Sequence, residues 1–247
     1  MSVYEHDKIV PLAHSNVSKK EQVAEMFNDI SPSYDFLNRF LSAGTDNRWR
    51  KKALKELVSI QPKNILDVAT GTGDFALMAC KILQPDSITG IDISEGMLKL
   101  GREKIKKAGL DNVITLEQGD SEAITQPDNS FDAVTVAFGV RNFEELEKGL
   151  AEIYRVLKPG GKLVILEFSK PKNNIFKPLY NLYLGIVAPE MARWFSKNKD
   201  AYQYLNNSIK AFPERQALDL ILQNTGFTNT YFKTLSLGIC CIYCGSK

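Results

Sequence analysis

From residue 60 onward, short apolar runs alternate with helical patterns, and this alternation constrains the fold more than any single motif does. NILDVAT at 64–70 precedes a helical stretch from about Gly73 to Leu83, and SITGIDI at 87–93 precedes SEGMLKLGREKIKKAG at 94–109. NVITLEQGD follows at 112–120. FDAVTVAF at 131–138 leads into FEELEKGLAEIYRVLK at 143–158, and GKLVILEF comes after Gly160. Such a repeat predicts an α/β domain built on a mostly parallel sheet with helices on both faces. PERQALDLILQNTGF at 213–227 reads as one more helix. TNTYFKTLSLGICCIYCG reads as two tightly joined strands, an antiparallel C-terminal hairpin that brings the sheet to seven strands.

Two stretches fall outside the repeat. Residues 1–60 are mostly helical, and 171–212 form an insertion rich in Tyr, Phe, Trp and Leu. Ligands of open α/β sheets bind at the carboxyl ends of the strands, so both pieces are expected to roof that site. A chain of 247 residues suits one such domain, 1–247, with these two embellishments. At 44% hydrophobic, 24% charged and a formal charge of +2, nothing draws it toward nucleic acid. The opening MSVYEHDKIVPLAHSNVSKKEQ lacks an apolar signal core, so a cytoplasmic protein is expected. Cys241 and Cys244 form a lone CxxC, but the only histidines, His6 and His14, lie at the far end, so no metal site is expected.

GTGDFA at 71–76 matches a dinucleotide fingerprint, and Asp92, ending the next strand, stands where a ribose-binding acid belongs. The flanking charges point elsewhere. Asp67 before the turn and Asp74 within it repel a pyrophosphate by about 1 kcal/mol or more per close pair. S-adenosylmethionine carries an ammonium and a sulfonium and no phosphate, so these acids attract it. On this reading Asp67, Gly71, Thr72 and Gly73 form the turn under the cofactor and Asp92 holds its ribose. Asp120 and Ser121 meet the adenine amino group, and Ile93 and Met97 pack on the ring faces. A nicotinamide-dependent oxidoreductase is the alternative that the fingerprint leaves open.

DVATGTGD, GIDIS, EQGDSEA and LKPGG, in that order, resemble the class I S-adenosylmethionine-dependent methyltransferases. NDISPSYDFLN at 28–38, FGVRN at 138–142 and YRVLKPGGKLVILEFSKP at 154–171 resemble, more narrowly, the ubiquinone and menaquinone biosynthesis C-methyltransferases over nearly the whole chain. The resemblance implies a Rossmann-like class I fold and cofactor contacts at Thr72, Asp92, Asp120 and Ser121. It further implies C-methylation of a polyprenyl quinol, demethylmenaquinol ahead of a benzoquinol. Peripheral membrane association and homo-oligomerisation are both compatible with it. Two departures stand out. Ala69 replaces the first glycine common in such turns, and Ala137 stands where some relatives carry a serine.

A quinol ring carbon becomes a good nucleophile when a neighbouring hydroxyl, with a pKa near 10, ionises. Arg141 and Asn142, after the fourth strand, are the expected stabilisers of that oxyanion, with Tyr34 and Asp35 in the leading helical segment as orienters or relays. His14 is the remaining candidate base. KPLYNLYLGIVAPEMARWF in the insertion suits an isoprenoid tunnel, with Trp194 and Phe195 as candidate membrane contacts.

Overall fold

The computed structural model describes residues 4–12, 16–42, 44–171 and 199–247. In chain order the elements are α1 (Lys19–Leu41), α2 (Thr45–Lys55), β1 (Asn64–Val68), α3 (Asp74–Leu83), β2 (Ser87–Asp92), α4 (Glu95–Lys107) and β3 (Ile114–Gln118). They continue with β4 (Phe131–Ala137), α5 (Leu146–Val156), β5 (Leu157–Phe168), α6 (Lys199–Ala211), α7 (Gln216–Thr225), β6 (Thr228–Leu235) and β7 (Cys240–Ser246). The strands form one seven-stranded sheet in the order β3-β2-β1-β4-β5-β7-β6. β1 to β5 pair in parallel, while β7 runs antiparallel between β5 and β6. The expected fold class is the one observed. β5 starts earlier than the glycine pair suggests, because LKPGG is drawn into the strand across a bulge opposite Phe131 and Ala133.

Both faces of the sheet are apolar, as parallel strands require. Ile65, Ala133 and Val164 meet α2, α3 and α4 on one side; Leu66, Val134 and Ile165 meet α5 and α7 on the other. Cys240, Cys241 and Cys244 are buried β7 residues, and burial raises the Cys244 thiol to about 11. A third, small cluster joins Val23 and Met26 of α1 to Ala201 and Tyr204 of α6 above the strand ends. Among the described residues no helix is long and apolar enough to cross a membrane.

α1 carries Pro32 inside it. Proline has no N–H to return to the residue 28 carbonyl, and the Ser31 hydroxyl donates to that carbonyl instead, at 2.9 Å. α1 thereby continues across the carboxyl ends of β1, β2 and β4. The chain order reverses between β1 and β4, the switch point at which such sheets open a crevice.

Candidate functional site

A cavity of roughly 660 Å³, its open mouth included, lies at that switch point. A second, of roughly 440 Å³, adjoins it and shares Tyr34, Ala69, Gly71 and Ala137 with it. The first is walled by Asp92, Ile93, Met97, Asp120, Ser121 and Asn142; the second by Asp35, Asp67 and Thr72. Of the cofactor and catalytic candidates among the described residues, only Gly73 and Arg141 line neither cavity.

The turn after β1 explains the glycines. Gly71 has φ +58°, and a Cβ there would point into open space, so the backbone lies bare to the cavity. Its N–H donates to Asp92 Oδ2 at 2.8 Å. Gly73, at φ +74°, starts α3 and faces Leu116, so its part is conformational. Ala69 adopts φ +53°, where glycine is relaxed, and Gly139 across the gap leaves room for its methyl group.

Asp92 also accepts from the Ser94 N–H at 2.9 Å, yet desolvation raises its pKa. Asp67 is buried and accepts from the Thr70 and Thr135 hydroxyls, both at 2.6 Å. Burial outweighs these bonds and the nearby Arg50, leaving Asp67 at about 6, with Asp92 adding to the rise. Two undercompensated acids therefore flank the bare turn, an arrangement a cation stabilises.

Other acids are already engaged. Asp74 lies 2.7 Å from Lys104 Nζ and 3.9 Å from Arg39, so the attraction expected of it is largely spent within the protein. Asp35 pairs with Lys104 and accepts from the Thr72 hydroxyl at 2.6 Å. Asp35 thus ties α1 to the turn. Lys20 Nζ donates to Asp120 Oδ2 at 2.7 Å, while Asp120 Oδ1 accepts from the Glu122 N–H.

Arg141 departs most from expectation. Its guanidinium bonds the buried Glu167 carboxylate at 2.8 Å and the Phe138 carbonyl, and lies 5.4 Å from the Phe168 ring centre. It anchors the loop behind the cavity wall. Asn142 is the member of the pair on the wall itself, and its Oδ1 accepts from Tyr204 Oη of α6 at 3.2 Å. His14, Trp194, Phe195 and residues 172–198 of the insertion lie outside the described residues.

Sequence reasoning missed the α1 contributions Lys20, Val23 and Phe27, although with Tyr34 they recur at one-face helical spacing. It also missed Arg50 and Tyr204, whose placement depends on how α2 and α6 dock.

The chain matches the model of the ubiE/COQ5 methyltransferase family over residues 15–247. It is 49% identical over 245 residues to demethylmenaquinone methyltransferase of Bacteroides fragilis, covering 99% of each chain. It is 45% identical over 230 residues to the ubiquinone/menaquinone biosynthesis C-methyltransferase UbiE of Geobacter sulfurreducens, covering 93% of this chain and 90% of that one. Its fold resembles that of a SAM-dependent methyltransferase from Thermotoga maritima, with a TM-score of 0.60 at 20% identity, over 90% of this chain and 99% of that one. The strand order, the bare glycine turn and a full-length match agree: the chain belongs to the ubiE/COQ5 methyltransferase family.

Proposed function

We propose that this chain uses S-adenosylmethionine to methylate a ring carbon of a polyprenyl quinol, converting demethylmenaquinol to menaquinol. The observation that carries the reading is the bare Gly71 turn between two acids, Asp67 and Asp92, whose carboxyl groups burial holds above their ordinary pKa. A phosphate-bearing dinucleotide is disfavoured there; a ligand with an ammonium and a sulfonium is favoured. Gly71, Thr72 and Asp67 would hold the amino-acid end, Asp92 the ribose, and Asp120, Ser121, Ile93 and Met97 the adenine. When bound, the cofactor supplies an electrophilic methyl group.

The chain's own task is to bring the quinol carbon up to that methyl and stabilise its oxyanion. Aligning the two reactants accounts for about 7–11 kcal/mol of barrier in well-oriented systems. In this proposal Tyr34 and Asn142, on the roof and wall of the larger cavity, orient the quinol. Tyr204 occupies the Asn142 carbonyl and so turns the amide NH₂ into the group free to donate to the quinol oxygen. Arg141 holds that loop and adds positive potential. The insertion at 171–212 receives the isoprenoid tail, and peripheral membrane association and self-association belong to the same proposal.

Relatives carrying the UbiE name favour a second acceptor, a 2-methoxy-6-polyprenyl-1,4-benzoquinol. Mass spectrometry of a reaction offered both quinols together with methyl-labelled cofactor tests the assignment. A labelled methyl on the naphthoquinol alone is the expected result; methylation of the benzoquinol alone moves the chain to the other pathway, and methylation of neither contradicts the proposal.

A further inference from the structure

α2 carries its charge unevenly. Its sequence TDNRWRKKALK holds five basic residues and one acid, Asp46, which is buried beside Arg50 and bonded by the Ser42 hydroxyl. Trp49, Arg50, Ala53 and Leu54 turn inward, while Arg48, Lys51, Lys52 and Lys55 recur at helical spacing along the outer face and are exposed. Among the described residues none of these four meets an acid; Glu56, just past the helix, is taken by Lys233 and Tyr231. On α5, by contrast, Lys148 and Arg155 both lie beside carboxylates. A row of cations left without counter-charges is complementary to an anionic partner.

The row begins at the edge of the sheet where the cavities open. Arg50 lines the smaller cavity, and the Trp49 ring centre lies 6.4 Å from that of Phe138, which lines the larger one. The Trp49 indole nitrogen donates to the Ser236 hydroxyl at 2.8 Å, which joins the amino half of α2 to the turn between β6 and β7. Cys240 at the start of β7 pairs with Phe168 at the end of β5, so this turn lies at the carboxyl ends of the parallel strands. In it Ser236, Leu237 and Gly238 all have positive φ, and Leu237 is 61% exposed. A leucine held left-handed with its side chain in water is unfavourable twice over, in backbone strain and in exposed apolar area. A lipid surface relieves the second of these.

We infer that the outer face of α2 and the tip at Leu237 dock this chain on an anionic bilayer, the cations against the headgroups and the leucine in the boundary beneath them. This rests on the proposed quinol acceptor, whose polyprenyl tail keeps it in the bilayer; docking by this face brings the strand-end cavities to it. A nucleic acid would match the cations and leave Leu237 in water.

Flotation with vesicles of phosphatidylglycerol, or of phosphatidylcholine alone, tests this without cofactor or quinol. The wild-type chain should bind the anionic vesicles only, and less as salt is added. Lys51→Gln/Lys52→Gln should weaken that binding about thirtyfold, the product of two headgroup contacts. Lys106→Gln/Lys107→Gln, at the far end of α4, removes the same charge and should leave binding nearly unchanged. Leu237→Ser should weaken it several-fold with no change in charge, and all three variants should methylate a tailless, water-soluble quinol analogue like the wild type. The inference is overturned if the wild-type chain ignores anionic vesicles or binds both kinds equally. Equal losses in the two double variants overturn it too, by making net charge the cause, and so does indifference to Leu237→Ser, which assigns the row to a polyanion. Vesicle binding by a chain that methylates no quinol would instead overturn the proposed function beneath it.

Discussion

The floor and the roof of the cavity are built by different forces. Beneath it, β1 and β4 present Leu66, Val68, Val134 and Val136 to α5 and α7, and Ile65 and Ala133 to the helices of the other face, all fully buried. Above it, the described residues of α1 form a small cluster around Val23 and Met26, and their other ties to the rest of the chain are polar. Lys20 meets Asp120 and Glu122, Asn28 accepts from the Ser94 hydroxyl and the Gly96 N–H, and Asp35 meets Thr72 and Lys104. A Cβ at residue 96 would come within 3.2 Å of the Asn28 backbone, so glycine permits this close approach of α1 to α4. Apolar burial makes the floor stiff. Surface ion pairs contribute about 0–1 kcal/mol each, and these part-buried ones hold the roof through fewer and more solvent-accessible contacts than the floor.

The largest test of this contrast is a truncation on each side. Leu66→Ala should cost about 2–5 kcal/mol of global stability, read by urea unfolding, because the floor cannot collapse around the lost atoms. Arg141→Ala should fall in a similar range of about 3–5 kcal/mol, since it strands the buried Glu167 carboxylate. Val23→Ala in the roof should shift the transition much less. A Val23 variant as damaging as the floor variant would remove the distinction.

Acidification pulls the two regions in opposite directions. His6, beside the roof with its ring edge-on to Phe212, is lowered to about 4, first by burial and then by Lys19. Its unfolded form binds the extra proton, so this contribution to stability is lost as pH falls from about 6.5 to 4. Asp67 in the floor is raised to about 6, so its folded form binds the extra proton, and stability falls as pH rises from about 4 to 6. Each amounts to at most about 3 kcal/mol. Thermal midpoints across this range should therefore become less acid-sensitive in His6→Phe and more so in Asp67→Asn; the same slope in all three proteins would refute both assignments.

Smallest of the three is the polar hinge at Asn28. Asn28→Ala removes two accepted hydrogen bonds, worth about 1–3 kcal/mol together, from α1 and α4 only. Hydrogen exchange should quicken over residues 20–31 while the strands keep their protection. Loss of protection in β1 and β4 as well would show that roof and floor open as one unit.

The same division decided what could be read from the sequence. The floor was legible because buried parallel strands write themselves as unbroken runs such as FDAVTVAF, and the turn because glycine is the residue most at ease at φ +58° where the backbone is to lie bare, as at Gly71. The positions of Asp92, Ile93, Met97, Asp120 and Ser121 along one sheet edge followed from strand order alone. The roof was legible only in outline. Its helix could be expected, but the pairing of Lys104 with Asp35 and Asp74 joins residues far apart in sequence. The partner of Arg141 was hidden for a related reason: FGVRN marks the loop, while Glu167, which its guanidinium bonds, lies on β5. Arg50 carries no signal in NRWRKK, where it resembles its solvated neighbours.

The central claim is that the strand-end cavity holds S-adenosylmethionine through Asp92. Its most direct test is calorimetric titration of the cofactor into the wild-type chain and Asp92→Ala, with thermal unfolding of both. The account predicts one site per chain and an affinity at least about tenfold weaker in the variant, with the thermal midpoint held or raised, because a desolvated carboxyl has been removed. Unchanged affinity in Asp92→Ala would contradict it.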